Sequence, residues 1–291
     1  MYPFQYVAAK DIQEVVSLLE QYGDRARCMA GGTDVIVQAR GGRFDLDIMV
    51  DIKAVPEVTE LTLNGTGLRL GAATPCYRVY GDDKLRATYA GIVDAALIIG
   101  GIQIQSRASL GGNLCNASPS ADGIGPLIVH KAIAVVAGPI GRREMPVDEF
   151  CVAPGQNAMG KDEFLLRLEV PAPPARSGSA YQRFIPRNEM DIAVAGVAVA
   201  VTLDAKGETI ESARIALAAV GPTPILAKAA GDSLAGKAAT PETIQVAADL
   251  AITASNPIDD MRGSVDQRRH LVGVLTKRVL TKAIERARGS E

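Results

Sequence analysis

Histidine is nearly absent from this chain, cysteine is sparse and scattered, and neither sign of charge prevails. The two histidines, His130 and His270, have no serine, cysteine or carboxylate arrangement around them that would make a nucleophilic triad. Cys28, Cys76, Cys115 and Cys151 form no Cys-x-x-Cys pair and have no companion histidines at ligand spacing, so no zinc site, iron–sulfur cluster or disulfide framework is predicted. The net charge is -2, and no dense basic stretch interleaves with aromatics, which argues against a nucleic-acid surface. Long apolar runs are missing as well. The longest, Ile192 to Leu203, falls short of the roughly 20 residues that a spanning helix needs and reads as a buried strand. The N-terminal stretch from Met1 to Tyr6 lacks the basic start and apolar core of an export signal, so a cytoplasmic protein is expected.

What is present is glycine in telling places. Ala30-Gly31-Gly32-Thr33-Asp34 and Ser109-Leu110-Gly111-Gly112-Asn113 each lie between an apolar run and a helix-like run. Glycine admits positive φ and lets backbone N–H groups approach a ligand without Cβ obstruction, while a helix start adds unpaired donors and a dipole that favours anions. Either loop alone is read as readily as a simple turn. As a pair they predict a cradle for the phosphates of a dinucleotide. A charge-assisted hydrogen bond contributes about 1.5–3 kcal/mol, so several loop amides together suffice without an arginine clamp.

At 291 residues and 47% hydrophobic content the chain can bury one large core or two ordinary ones. Helical spacing from Asp11 to Tyr22 is followed by a strand over Arg27 to Ala30, the first loop, and a helix toward Arg40 that Thr33 or Asp34 can cap and Gly41-Gly42 ends. Strands are predicted at Leu46 to Ile52, Leu68 to Ala73, Ala132 to Val136 and Phe164 to Val170, with helices at Gly91 to Ile99 and Asp122 to His130. The Pro/Gly/Ser-rich run from Pro171 to Ser179 reads as a linker, dividing the chain into domains 1-175 and 176-291. Beyond it, strands at Tyr181 to Ile185, Ile192 to Leu203 and Ile210 to Val220 precede helices at Glu242 to Ala254 and Arg268 to Arg286, predicting a small antiparallel sheet with helices on one side. The cations of the last helix read as a solvated face, with a partner surface as the alternative. The fold class is α+β.

The loops and their flanks also carry a resemblance. Met29 to Val35, Gly101-Ile102-Gln103-Ile104-Gln105, Ser109 to Asp122, Arg187 to Val194, Asp259-Asp260-Met261-Arg262-Gly263-Ser264 and Arg268-Arg269-His270-Leu271 together resemble the FAD-binding medium subunit of molybdenum hydroxylases, the xanthine dehydrogenase and carbon monoxide dehydrogenase family. The resemblance spans nearly the whole chain. It implies a two-lobed FAD-binding domain of the vanillyl-alcohol oxidase (PCMH) type, followed by a small C-terminal domain. It also implies FAD held at Met29, Ala30, Gly31, Gly32, Thr33, Asp34, Val35, Thr74, Ser109, Gly111, Gly112, Asn113, Ser118, Asp122, Leu166, Arg183 and Ile192. The loop amides would hold the pyrophosphate, with the Thr33, Ser109 and Asn113 side chains supplementing them. Asp122 takes the position that meets the ribose hydroxyls, or else is the N-cap of the helix it precedes. Arg183 stands where a lysine lies near the isoalloxazine and would stabilise negative charge on it, or else is a solvated strand residue. Cys115 either approaches the flavin or is a packed thiol.

Two departures from the family pattern stand out: Gln105 replaces a common arginine, and Ser109-Leu110 replaces Thr-Ile. Ile192 stands in the place of a tyrosine that carbon monoxide dehydrogenases set against the flavin ring, and resembles xanthine dehydrogenases in being aliphatic, which weakens a carbon monoxide reading. Neither histidine lies in a glycine loop, so non-covalent FAD is expected. The missing cluster ligands argue against the benzoyl-CoA reductase variant. They favour a division among separate chains, with 2Fe-2S clusters on a small iron–sulfur subunit and the molybdenum cofactor on a large subunit, in a dimer of heterotrimers without membrane spans. Catalysis then needs no residue of this chain beyond the flavin. A self-sufficient flavin oxidase and a non-catalytic nucleotide-binding assembly protein are the competing readings.

Overall fold

The computed structural model describes residues 2–289. The chain opens with β1 (Gln5–Ala8), α1 (Ile12–Tyr22), β2 (Ala26–Met29), α2 (Val35–Arg40) and β3 (Ile48–Asp51). Asp11 caps α1 through its carboxylate, and Val15, Val16 and Leu19 form the helix's buried stripe. β3 lies parallel between β1 and β2. All four of its residues are buried, as a strand covered on both faces requires.

A second lobe follows, comprising β4 (Leu61–Asn64), β5 (Gly67–Gly71), helices α3 (Cys76–Tyr80), α4 (Asp83–Thr88), α5 (Ala90–Ala96), α6 (Ile102–Gln105), α7 (Leu110–Asn116) and α8 (Ile124–Val129), then β6 (Ile133–Gly138), β7 (Gly141–Pro146), the hairpin β8 (Cys151–Ala153) and β9 (Gln156–Asn157), and β10 (Phe164–Pro171). Strand order β4-β5-β10-β6-β7 makes an antiparallel sheet. β10 is its central strand and serves two cores. Phe164 and Leu166 pack with the first lobe, while Leu165, Leu168 and Val170 pack with the helices of the second. A register shift between Leu165 and Arg167 reconciles these faces.

The C-terminal region is built on β11 (Ser177–Phe184), β12 (Ala195–Leu203), β13 (Thr209–Ala218) and β14 (Ile225–Leu226), joined by α9 (Lys228–Asp232), β15 (Lys237–Ala238), α10 (Pro241–Ala254) and α11 (Val265–Arg288). The sheet is antiparallel, and α9, α10 and α11 share one hydrophobic cluster with one of its faces. The opposite face contributes Tyr181, Ala198 and Ala216 to the core of the second lobe. The α+β class and the PCMH-type arrangement with an added C-terminal domain stand as expected. The proline-rich run does not: Pro171 still pairs with Gly67, and Ser177 already pairs with Thr202, so only a short bend lies between two regular strands.

Arg269, Lys277 and Arg278 of the last helix are exposed, as a solvated face requires, but two of its cations depart from that reading. Arg268 is 3% exposed. Arg286 donates to both oxygens of Asp94 in α5 at 2.7 and 3.1 Å and to the Ser179 carbonyl at 2.8 Å. Charge alone predicts both on the outside, yet both find acceptors within the protein, which is what makes burying a guanidinium tolerable.

Candidate functional site

The first glycine loop connects β2 to α2. Ile36 and Gln38 donate backbone bonds to the carbonyls of Gly32 and Asp34, starting the helix. The N–H groups of Gly31, Gly32, Thr33 and Asp34 themselves have no acceptor among the described residues. Asp34 holds the N-cap position, yet no side chain caps α2, so the expected cap from Thr33 or Asp34 is not made. Desolvation pushes the Asp34 carboxyl upward in pKa. Gly32 has φ +79, and a Cβ on Gly31 would lie 2.0 Å from the Arg107 carbonyl oxygen. The loop is anchored from beneath by Lys53, whose Nζ donates to the Ala30 carbonyl at 2.8 Å and to Asp51 at 2.7 Å. Tyr6 donates to the other Asp51 oxygen at 2.6 Å. Desolvation pushes the Asp51 carboxyl upward, but the bonds from Lys53 and Tyr6 together outweigh it and hold the carboxyl below its usual range.

The second loop forms the first turn of α7. Ser109 Oγ accepts from the Gly112 N–H at 3.1 Å, and the Ser109 carbonyl accepts from Asn113 N–H at 2.9 Å. Two of the amides assigned to phosphate are therefore already bonded within the loop. Asn113 Oδ1 accepts from the Gly123 N–H at 3.0 Å, tying α7 to the turn before α8. Gly111 is indispensable for another reason: a Cβ there would meet the Ala72 carbonyl oxygen at 2.4 Å. Gly112, by contrast, is not in the positive-φ region, and its Cβ would press only on Ser109 Oγ, at 3.1 Å, with the Ala30 Cβ at an ordinary 4.0 Å.

Gln38 Nε2 in α2 donates to Asn116 Oδ1 in α7 at 2.8 Å, bridging the two loop helices. Between them lies a cleft of about 770 Å³ lined by Ala30 through Val35, Gly111, Gly112, Cys115 and Asn116. Its size is in the range of cofactor pockets. Phe164 and Leu165 line its wall, whereas Leu166 is fully buried in the core beside them. Arg27, Arg43 and Lys161 also border it. Arg27 lies 4.5 Å above the Phe44 ring and Lys161 pairs with Asp24, while the Arg43 side chain has no hydrogen-bond or ion-pair partner among the described residues. Nothing in the local sequence marks these cations, because each reaches the cleft from a different segment. Cys28 and Cys115 also line the cleft, and burial pushes both thiols upward, Cys28 to about 12, so they sit there as neutral groups.

A second group of expected residues gathers beyond α7. Asp122 is 6% exposed, accepts from Tyr181 Oη at 2.7 Å and is paired with Arg183. Arg183 also donates to the Ile98 carbonyl at 2.9 Å. Its side chain is 7% exposed, which removes the reading of a solvated strand residue. The helix-cap reading of Asp122 falls too: Gly123 is the N-cap of α8, and no side chain caps that helix. Burial outweighs Arg183 and Tyr181 and pushes the Asp122 carboxyl up to about 6. Ile192 is exposed nearby in the chain, before β12. Thr74 is buried and donates to the Glu60 carbonyl at 2.8 Å, Ser118 shares a hydrogen bond with Ser120, and Met29 accepts from Ile52 N–H.

A run of four amides without an acceptor among the described residues, in a loop packed so closely on the Arg107 carbonyl that Gly31 has no room for a Cβ, fits the diphosphate of a dinucleotide. Comparison with known proteins gives the family. Residues 2–173 match the FAD binding domain in molybdopterin dehydrogenase, and residues 180–283 match the CO dehydrogenase flavoprotein C-terminal domain. The chain therefore belongs to the FAD-binding subunits of the molybdenum hydroxylase family, oxidoreductase flavoproteins of the carbon monoxide and xanthine dehydrogenase type. It is 31% identical to the carbon monoxide dehydrogenase medium chain of Hydrogenophaga pseudoflava, with 96% of each chain covered. It is 30% identical to a putative xanthine dehydrogenase FAD-binding subunit of Escherichia coli K12, covering 98% of this chain and 97% of that one. Among solved structures, carbon monoxide dehydrogenase from H. pseudoflava superposes with a TM-score of 0.93 at 33% identity, covering 98% and 99% of the two chains. Quinoline 2-oxidoreductase from Pseudomonas putida 86 gives 0.90 at 27% identity, covering 99% and 98%. No helix among the described residues is long and apolar enough to cross a membrane.

Proposed function

We propose that this chain is the outgoing electron-transfer station of a molybdenum hydroxylase, receiving electrons from 2Fe-2S clusters on a small partner subunit and delivering them to an external acceptor. The observation that carries the reading is the set of four unpartnered amides, Gly31 to Asp34, bordering the cleft shared with Gly111 and Gly112. These amides would bind the FAD diphosphate, with the helix start of α2 adding a favourable dipole. The Thr33 hydroxyl would supplement them, and Arg43 at the rim would supply a cation, unpaired among the described residues, for the remaining phosphate charge. Lys53, bonded to the Ala30 carbonyl, would steady the loop. Bound there, FAD supplies the capacity to exchange electrons singly with a metal centre and in pairs with an organic acceptor.

Asp122, Arg183 and Ile192 would line the remaining length of the cofactor beyond the second loop, as would Thr74 and Ser118 if the loops adjust on binding. In this structure Arg183 is committed to Asp122, so the positive charge it offers grows as Asp122 takes up a proton. The family relationship supports partners in the form of a small iron–sulfur subunit and a large molybdenum-cofactor subunit, assembled as a dimer of heterotrimers in the cytoplasm. Substrate oxidation would occur on the large partner.

The test is reconstitution. The chain produced alone should be yellow, release its flavin on acid precipitation, and fail to oxidise an aromatic heterocycle or aldehyde. Addition of the iron–sulfur and molybdenum chains should allow substrate to reduce the flavin. In the deflavinated complex, rapid mixing should still show substrate reducing the clusters while turnover with the acceptor is lost. Substrate turnover by the isolated chain would replace this reading with a self-sufficient flavoenzyme.

A further inference from the structure

The segment Asp259 to Ser264 and Arg268 carry no role in the cleft, yet the structure builds an unusually well satisfied node around them. Asp260 and Gly263 exchange backbone bonds, and Ser264 caps α11 through the Gln267 N–H. Asp259 accepts from the Val265 N–H at 2.7 Å. From the first turn of α11, Arg268 reaches back into this hairpin. Its guanidinium donates to the Val194 carbonyl at 2.7 Å, the Ala219 carbonyl at 2.9 Å and Asp260 Oδ1 at 2.7 Å. A planar fork can hold three acceptors in fixed mutual directions, which a lysine cannot.

Those two carbonyls belong to segments that lead toward Asp122 and Ile192. Val194 is two residues from Ile192 and donates its N–H to Phe184, the residue after Arg183. Ala219 is held at φ +64, a conformation uncommon for a residue with a Cβ. In that conformation its N–H donates to the Pro119 carbonyl at 2.7 Å, in the turn that leads to Asp122. One buried guanidinium thus joins the backbone on either side of the Asp122–Arg183 pair.

We infer that Arg268 is a positioning residue of the C-terminal domain, fixing the Ile192 to Val194 segment and the Pro119 to Asp122 turn in the arrangement that receives FAD beyond the second glycine loop. The inference rests on the proposed FAD site. Arg268 acts through backbone and has no contact of its own with Asp122 or Ile192 among the bonds it makes.

The test uses Arg268→Lys, Arg268→Gln and Asp260→Asn in the full chain. Amide hydrogen exchange without added FAD should accelerate at 117–122 and 190–195 in both Arg268 variants, while the glycine loop at 30–34 keeps its wild-type rate. FAD titration should show affinity weakened by about tenfold in Arg268→Gln, the scale of one charge-assisted hydrogen bond, with a smaller loss in Arg268→Lys. The visible circular dichroism of the bound flavin should change in both. Asp260→Asn leaves the guanidinium and both carbonyl bonds possible, so it separates loss of the fork from general loosening, and its flavin spectrum should stay close to wild type. Wild-type exchange at both segments, or wild-type affinity and flavin spectrum in Arg268→Gln, overturns the positioning role alone. A wild-type chain that takes up no FAD overturns the functional reading and this role with it.

Discussion

Gly31 and Gly112 look alike in sequence and differ entirely in what surrounds them. At Gly31 a Cβ would lie 2.0 Å from the Arg107 carbonyl oxygen, and at Gly111 2.4 Å from that of Ala72. Both obstacles are backbone, so neither rotates away. Gly31→Ala and Gly111→Ala should lower both flavin content and melting temperature, read as the ratio of flavin to protein absorbance and by thermal melting. Gly112→Ala faces only a serine hydroxyl and should retain most of its flavin; equal losses in all three would mean that close approach is not what these glycines provide. Asp122 offers a pH signature. Its carboxyl is raised from 3.8 to about 6, so the folded chain binds a proton more tightly than the unfolded one. The resulting stabilisation is complete below about pH 4 and is lost as pH rises through about 6. Thermal melting of the flavin-free chain should therefore show wild type losing ground against Asp122→Asn between these limits and holding level above about pH 7. A difference independent of pH would mean that the carboxyl titrates normally.

At the scale of elements, α11 lies directly against β11. A Cβ on Gly178 would sit 2.1 Å from the Ala283 carbonyl, so helix and strand touch backbone to backbone. Near that contact Arg286 spans to Asp94 in α5, and Asp94 also accepts from the Tyr181 N–H at 3.0 Å. One carboxylate thereby links a helix of the second lobe to both a strand and a helix of the C-terminal region. Both side chains of the pair are 17% exposed, which shields them from the screening that weakens surface pairs. Asp94→Ala should cost about 1.5–3 kcal/mol in urea denaturation, the range for a hydrogen bond to a charged group. A loss below about 0.5 kcal/mol would place the pair with ordinary surface contacts.

For the whole molecule, the decisive feature is the sharing of one core across the sequence divide. Tyr181, Ala198 and Ala216 lie in the same cluster as α5, α7 and α8. Packing is close enough that a Cβ on Gly125 of α8 would contact the Ala198 Cβ at 3.3 Å. A C-terminal sheet that completes another lobe's core cannot unfold without exposing that core. Calorimetry of the chain should accordingly give one cooperative transition, with calorimetric and van't Hoff enthalpies in agreement. Two separated transitions would show that the regions are stable independently.

Local pattern was enough to determine much of this protein. The helical stripe of α1, the alternation of strand and helix, the three long strands of the C-terminal sheet and both glycine loops were legible because spacing, capping and turn chemistry act within a few residues of one another. The loops flanked by their motif residues also made the family legible. Tertiary structure alone decided the rest. It put Arg183 and Arg268 inside, because their acceptors lie far away in sequence on Asp122, Val194 and Ala219. It kept Leu166 wholly within the core while Phe164 and Leu165 also border the cleft, and committed Gly112 to a serine cap instead of leaving its amide free. It brought Arg43 to the rim from a segment with no motif. Periodicity records which face of an element is apolar; which distant backbone that face meets, and which charge finds an acceptor there, is set by long-range packing that no short window of sequence contains.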